Sequence, residues 1–380
     1  MNGEAVLIAA FSGRSLAQSA RRAGYRPLVV DAFGDLDTQD AAEDFRVLDG
    51  AMQTGFRTKP LIAALEDLAR SSATKPLGLV LGSGFEDKPR LVAALGSRFK
   101  LLGSDAATYK ACKDPRSFFP LLDKLGVPHP ETQTDPPTDS LGWISKRTGG
   151  SGGRHIRVCQ GPQRAKPRRY FQKLLDGERI SASLVVSPTG TNIFQSRQWT
   201  SPTPTMPFRY GGAVSLPSED TPAQFGVLKA STELAESLGL KGLVSVDCLV
   251  VDEKVYVLEV NPRPGATLDI FDDKSGSLFK DHVFVCKGGK IEDFEDEDIS
   301  SADWSQSAAA ILHADRGSIT LGEIPWPDWS ADRGPPGTFI PAGAPLATVF
   351  AEAPTADAAE ALARKRLAEL EDLIYGHAKS

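Results

Sequence analysis

LVSVDCLV at Leu243–Val250 and KVYVLEVNPRPG at Lys254–Gly265 are two runs rich in β-branched residues, held apart by Val251 and the acidic pair Asp252-Glu253. Runs of this kind around a short polar link predict an antiparallel hairpin. On the second run Glu259 and Asn261 are two residues apart, so a strand turns both side chains to one face. Asp247 on the first run can meet them across the hairpin. Three oxygen-bearing side chains on one face of otherwise apolar strands are costly to bury alone, and a hard cation such as Mg²⁺, shared with phosphate oxygens, is a natural partner. The alternative is a set of structural hydrogen bonds or a solvent-facing position, which for Asp247 alone is the simpler reading.

About a hundred residues upstream, WISKRTGGSGGRHIRV at 143–158 delivers a lysine, Lys146, from one strand into a loop containing Gly149, Gly150, Ser151, Gly152 and Gly153. Glycines let backbone N–H groups wrap anionic oxygens, and a lysine just before them supplies a compact positive charge. No G-K-[ST] closes the loop and no helix follows, so it is not a Walker A loop. Taken alone it reads equally well as a flexible hairpin. His155, at its end, is poised between a phosphate contact and solvent.

Working outward, AVLIAA at 5–10, a predicted helix from Leu16 to Ala23, and PLVVD at 27–31 form a β-α-β opening. LGLVL at 77–81 repeats the pattern, with helices expected at Pro60–Ser71 and Lys88–Leu95. This alternation implies a parallel sheet in a Rossmann-like lobe over residues 1–105. Gly82-Ser83-Gly84 runs on to Asp87 where G-x-G-x-x-G needs glycine, so a dinucleotide site is disfavoured. A helical segment over 105–125 ends at Gly126, strands and a helix at Pro222–Leu238 follow, and a terminal helix is expected at Thr355–Ile374. The acidic run EDFEDED at 292–298 reads as a solvated loop.

Composition narrows the partners. With 43 Lys+Arg against 49 Asp+Glu, a formal charge of −6 leaves no basic footprint for nucleic acid or anionic membrane, which favours small-molecule substrates. Four scattered cysteines, Cys112, Cys159, Cys248 and Cys286, argue against a zinc site or a disulfide framework and fit a reducing cytoplasm. The first apolar run is too short to span a bilayer. A homodimer is an allowed assembly.

With these residues in place the chain resembles the ATP-grasp superfamily over about residues 1–280. The Lys146–Gly153 loop, the segment FQKLLDGE at 171–178 and the Glu259/Asn261/Arg263 signature stand in that family's order. The resemblance implies an α/β fold in which a Rossmann-like lobe precedes an ATP-grasp domain at 106–290, α+β in character, with a small lobe at about 137–175 and a large lobe at about 176–290. Residues 291–380 would form a small C-terminal β/α unit like that of carboligases related to biotin carboxylase. It implies ATP as cosubstrate, Mg²⁺ or Mn²⁺ on Asp247, Glu259 and Asn261, Lys146 and the Gly149–Gly153 loop on the phosphates, and Arg263 beside the transferred phosphoryl group. Gln172, Lys173, Leu174 and Leu175 would meet adenine, chiefly through backbone, and Glu178 or Arg179 the ribose. Arg197, Gln198, Trp199, Arg209 and Tyr210, in a second lid-like segment at 195–212, are the substrate-side candidates.

The family's usual Asp-Lys pair before Gly126 is absent. Here the text is Cys112-Lys113-Asp114-Pro115-Arg116, with proline in the lysine's place and Lys113 or Arg116 as candidate substitutes. The implied activity is an ATP-dependent ligase that activates a carboxylate as an acylphosphate and joins it to an amine. Biotin carboxylase-like carboxylation, or a nucleotide-binding protein that has lost turnover, are the alternatives.

Overall fold

In the computed structural model, which describes residues 3–219, 221–291 and 305–377, the N-terminal strands Asp44–Val47, Arg26–Asp31, Ala5–Ala9 and Leu79–Leu81 form a parallel sheet in that order. Apolar side chains cover both faces: Leu7 and Leu28 pack with Leu61 and Leu65, whereas Val6, Ile8 and Val29 pack with Leu16 and Phe279. Burial on both sides is why the central strands read as near-continuous apolar runs. The edge strand Asp44–Val47 is half-exposed and carries Asp44 and Arg46, so it leaves no such trace in the sequence. Helices form at Arg14–Arg22, Thr58–Ser71 and Pro89–Gly96, close to the expected positions.

The helical segment after residue 105 is two helices, Ala106–Lys113 and Pro115–Leu125. Asp114 breaks them because a residue before proline is driven out of the helical region, here to φ −83°, ψ 111°. Its carboxylate then accepts the Arg116 N–H at 3.1 Å, capping the second helix. The first helix therefore ends on Lys113, at the mouth of the cleft.

The small lobe is a four-stranded sheet in the order Thr132–Gln133, Arg169–Lys173, Trp143–Arg147, Arg157–Val158. The large lobe is part of an eight-stranded antiparallel sheet in the order Lys254–Asn261, Gly242–Val251, Glu178–Val186, Thr191–Thr200, Tyr210–Ser215, Gln306–His313, Pro345–Ala353, Ser330–Ala331. Residues beyond 305 thus continue the large-lobe sheet. The acidic run at 292–298 lies outside the described residues. The expected hairpin forms with Asp252 at φ 47° and Glu253 at φ 61°, the left-handed pair that a two-residue turn between twisted strands requires.

Helices Pro222–Ser237 and Ala356–Gly376 cover one face of this sheet, packing Leu234 against Leu184 and Cys248, and Leu370 in a cluster with Trp199 and Val349. Side chains alternate along each strand, so Ser181, Gln198 and Asp247 turn to the opposite face, towards the other two lobes. Cys248 accordingly lies in the core, as do all four cysteines, which are free. Among the described residues no helix is long and apolar enough to cross a membrane.

Candidate active site

Strand register brings the hairpin carboxylates together. Asp247 pairs with Glu259 and Ser245 with Asn261, and a β-bulge between Asp247 and Cys248 follows the first pair. Ser181 donates to Asp247 Oδ1 at 2.8 Å and Asn261 Nδ2 to Asp247 Oδ2 at 3.1 Å. From the end of its helix, Lys113 extends Nζ to 2.7 Å from Asn261 Oδ1 and 3.4 Å from Glu259 Oε2. Of the two candidate substitutes flanking Pro115, Lys113 reaches this face, whereas Arg116 is exposed.

The charges at this face oppose one another. Burial pushes the Asp247 carboxyl up, and Glu259 opposite pushes it further. Burial acts on Glu259 in the same sense, but Lys113 and Lys146 overcome it and hold Glu259 below the usual carboxylate range. Burial likewise works against a charged Lys146, yet Tyr170, Glu259 and Asp247 keep its ammonium above the ordinary lysine value. Two carboxylates and two ammonium groups thus sit under one roof.

Arg263, at the end of the signature, is largely covered, with its side chain 10% exposed, and is held by a residue with no counterpart in the sequence reading. Its Nε and Nη2 both donate to Glu86 Oε1, at 2.8 and 2.6 Å. Glu86 follows strand Leu79–Leu81 of the N-terminal lobe, and its other oxygen accepts the Gly84 N–H at 2.8 Å. The Gly82-Ser83-Gly84 turn therefore positions a carboxylate against the ATP-grasp strand. Arg263 and Lys113 keep Glu86 ionised despite complete burial.

Across the cleft, Lys146 is buried on Trp143–Arg147 and donates to Gln172 Oε1 at 3.3 Å. Gln172 is itself fixed by donating to Thr132 at 3.0 Å. The N–H groups of Lys173 and Leu174 donate to Glu131 and Gly142, each at 2.8 Å, so of Lys173–Leu175 only the Leu175 N–H has no backbone partner among the described residues. The Lys173 ammonium lies over the Trp143 ring.

The glycine loop is docked. Gly149 has φ 67° and backs onto Glu86 and Asp87, Gly153 has φ 69° and backs onto the Phe208 carbonyl, and the Tyr210 N–H donates to the Gly152 carbonyl at 3.1 Å. At both positions a side chain would meet backbone and the φ value disfavours one, so glycine is required. Arg168 and Arg147 pair with Asp87 at 3.0 and 3.5 Å, tying the small lobe to the N-terminal lobe.

Several expected site residues are not brought to this face. Arg197 points the other way and pairs with Asp357 and Glu360 of the terminal helix, at 2.6 and 3.1 Å. Glu178 is exposed on that same side, 4.0 Å from Arg197, while alternation turns Arg179 towards the face of Ser181. Trp199 packs into the helix-side core. Arg209 is buried but committed to Asp315 and Ser201. Gln198 does reach the site, donating to Asp247 Oδ1 at 3.4 Å, and Tyr210 lies within the electrostatic reach of Asp247 and Asp269.

Residues 112–267 match the family model of the ATP-grasp domain. That match assigns an ATP-grasp domain to this segment of the chain. The large chain of carbamoyl phosphate synthase from Thermus thermophilus is 24% identical over 219 residues, covering 51% of this chain and 21% of that protein. The chain therefore aligns with about a fifth of the length of its curated relatives. Among solved structures, an L-amino acid ligase from Bacillus licheniformis superposes with a TM-score of 0.69 at 16% identity, covering 98% of each chain. Biotin carboxylase from Campylobacter jejuni gives 0.69 at 14% identity, covering 99% of this chain and 91% of the other. At these identities the likeness is one of fold.

Proposed function

We propose that the chain is an ATP-dependent ligase that phosphorylates a substrate carboxylate and couples the acylphosphate to an amine. The observation that supports it best is the convergence of Lys113 and Lys146, from separate elements, on the face bearing Asp247, Glu259 and Asn261. Burying that much charge has little structural return, because a buried ion pair is a weak source of stability compared with apolar packing. It is the arrangement needed to bind a polyphosphate and offset the charge gathered during phosphoryl transfer.

Asp247 and Glu259 lie opposite each other and each perturbs the other's protonation, which marks a place where a cation can relieve carboxylate repulsion. In this reading Asp247, Glu259 and Asn261 hold Mg²⁺ or Mn²⁺, which when bound neutralises phosphate charge. Lys146 and Lys113 bind phosphate oxygens. The Gly149–Gly153 loop covers them and excludes water, and Leu175 offers its free N–H to the base. Arg263, set by Glu86, faces the transferred group. A carboxylate oxygen attacks the γ-phosphorus as ADP leaves, then the amine nitrogen attacks the acyl carbon and phosphate departs.

The test is ADP release by the purified chain across a matrix of carboxylates and amines. Release that requires one member of each class supports the reading. Release driven by bicarbonate alone would point to carboxylation, in keeping with the fold shared with biotin carboxylase. Nucleotide binding with no release under any pair would identify a binding protein.

A further inference from the structure

The N-terminal lobe is joined to its two neighbours by contacts of different kinds. Its joint with the large lobe is buried: His282 Nδ1 accepts the Leu243 N–H at 2.8 Å while Nε2 meets the Leu102 carbonyl at 3.1 Å, and Arg14, 5% exposed, holds Asp269 through two donors at 2.7 Å. Its ion pairs with the small lobe are open to water. Asp87 receives Arg168 Nη2 at 3.0 Å and Arg147 Nη2 at 3.5 Å, from side chains that are 58% and 53% exposed. Pairs in that setting are worth little one by one and weaken with salt, so they form and break with an ease that a buried pair lacks.

Arg168 is nevertheless held in a conformation that arginine avoids. Lys166-Pro167-Arg168-Arg169 is a turn closed by the Arg169 N–H on the Lys166 carbonyl at 3.3 Å, and Arg168 has φ 60°. Proline in second place and a positive φ in third define a type II turn, whose third residue is ordinarily glycine. An arginine there is strained backbone, maintained for what its side chain does. Its Nη2 grips Asp87 twice, donating to the carbonyl at 3.1 Å as well as to Oδ2, while its own carbonyl accepts the Thr148 N–H at 2.8 Å where the glycine loop begins.

These contacts hold the phosphate side of the cleft. Arg147 and Lys146 are consecutive on one strand and point to opposite faces, so fixing the first on Asp87 fixes the second beside Gln172. Gly149 lies flush against Glu86-Asp87, and further along the loop the Gly152 carbonyl accepts the Tyr210 N–H of the large sheet at 3.1 Å. Glu86, the residue before Asp87, holds Arg263. We propose that Asp87 is a positioning residue for the nucleotide site, a releasable catch that sets Lys146 and the Gly149–Gly153 loop against the polyphosphate. This rests on the reading of the cleft as an ATP site.

Calorimetry of AMP and of the Mg complex of the non-hydrolysable analogue AMPPNP, on the wild type, Asp87→Ala, Arg168→Gly and Arg168→Lys, tests the proposal. Thermal melting runs alongside, with hydrogen exchange at the Tyr210 amide, which none of the substitutions touches. Asp87→Ala and Arg168→Gly should each weaken Mg-AMPPNP by about 5-fold as the docked lobe becomes a smaller fraction of the population, while AMP, which has no β- or γ-phosphate, stays within about 2-fold. Without nucleotide, the Tyr210 amide should exchange about 5-fold faster in both. Arg168→Lys keeps the charge and should recover part of each effect. Arg168→Gly should melt no lower than the wild type, since glycine suits φ 60°, and this separates a lost catch from a lost fold. Raising NaCl from about 50 mM to about 500 mM should narrow the gap in Mg-AMPPNP affinity between wild type and Asp87→Ala. Unchanged Mg-AMPPNP affinity and Tyr210 exchange in a folded Asp87→Ala, an equal loss for AMP, or an Arg168→Gly that melts lower would overturn the proposal. Failure of the wild type to bind Mg-AMPPNP, with the exchange effects intact, would instead overturn the ATP-site reading on which it stands.

Discussion

Lys113 and Asn261, 148 residues apart in sequence, meet at 2.7 Å between Nζ and Oδ1. The pairing depends on Asp114 leaving the helix before Pro115, so that Lys113 becomes a terminal residue pointing into the cleft. Lys113→Met should weaken Mg-AMPPNP binding by about 10-fold or more, since a charge-assisted contact to phosphate is lost. Arg116→Met should leave it unchanged, because Arg116 is exposed. Calorimetric affinities of the two variants check this, and a reversed order would remove Lys113 from the site.

Glu86, itself buried, accepts two donors from the largely covered Arg263. Removing one charge leaves the other uncompensated, so Glu86→Gln should lower unfolding stability by roughly 3 kcal/mol. It should also reduce turnover by about 10-fold or more while nucleotide affinity changes little, since in the proposed reading Arg263 faces the transferred group and not the base. Denaturant melts combined with steady-state kinetics read both effects. Full turnover in a folded Glu86→Gln would mean that the pair only joins the lobes.

His282 gives the protein an acid-sensitive joint. Burial lowers its ring to about 4 from an ordinary value near 6.5, so the folded state binds a proton less readily than the unfolded chain. The stability it contributes is therefore fully present above about pH 6.5 and is lost as pH falls towards 4, by roughly 3 kcal/mol in all. Asp31 and Asp35, raised to about 6 and about 7, act in the opposite sense over an overlapping range. The decisive quantity is thus the difference in pH dependence between wild type and His282→Phe, from urea unfolding at pH 7.5, 5.5 and 4.5. The gap between them should narrow as pH falls, and a constant gap would show that His282 titrates normally.

The Asp247–Asn261 hairpin is legible because period-2 alternation puts Glu259 and Asn261 on one face whatever the rest of the chain does. Lys113 was only half-legible: two cations flank Pro115, and choosing between them needs the direction in which the first helix ends. Glu86 carried no local signal at all, because its partner lies 177 residues away and only lobe packing joins them. Arg197 and Gln198 are adjacent, so only one can face Asp247. The register of Arg197 against Ile180 decides which, and strand pairing at that distance is not written in either segment. Arg209 reads as a substrate cation within its own segment, but Asp315, 106 residues later, pairs with it.

The central claim is that Asp247, Glu259 and Asn261 form a metal-dependent polyphosphate site, and the affinity of AMPPNP with Mg²⁺ and with EDTA, in wild type and Glu259→Gln, tests it most directly. The account predicts that chelation weakens wild-type binding by about 10-fold or more, and that Glu259→Gln binds weakly with or without metal while melting close to wild type. Wild-type affinity that ignores Mg²⁺, or a Glu259→Gln variant that retains the full metal-dependent gain, would contradict it.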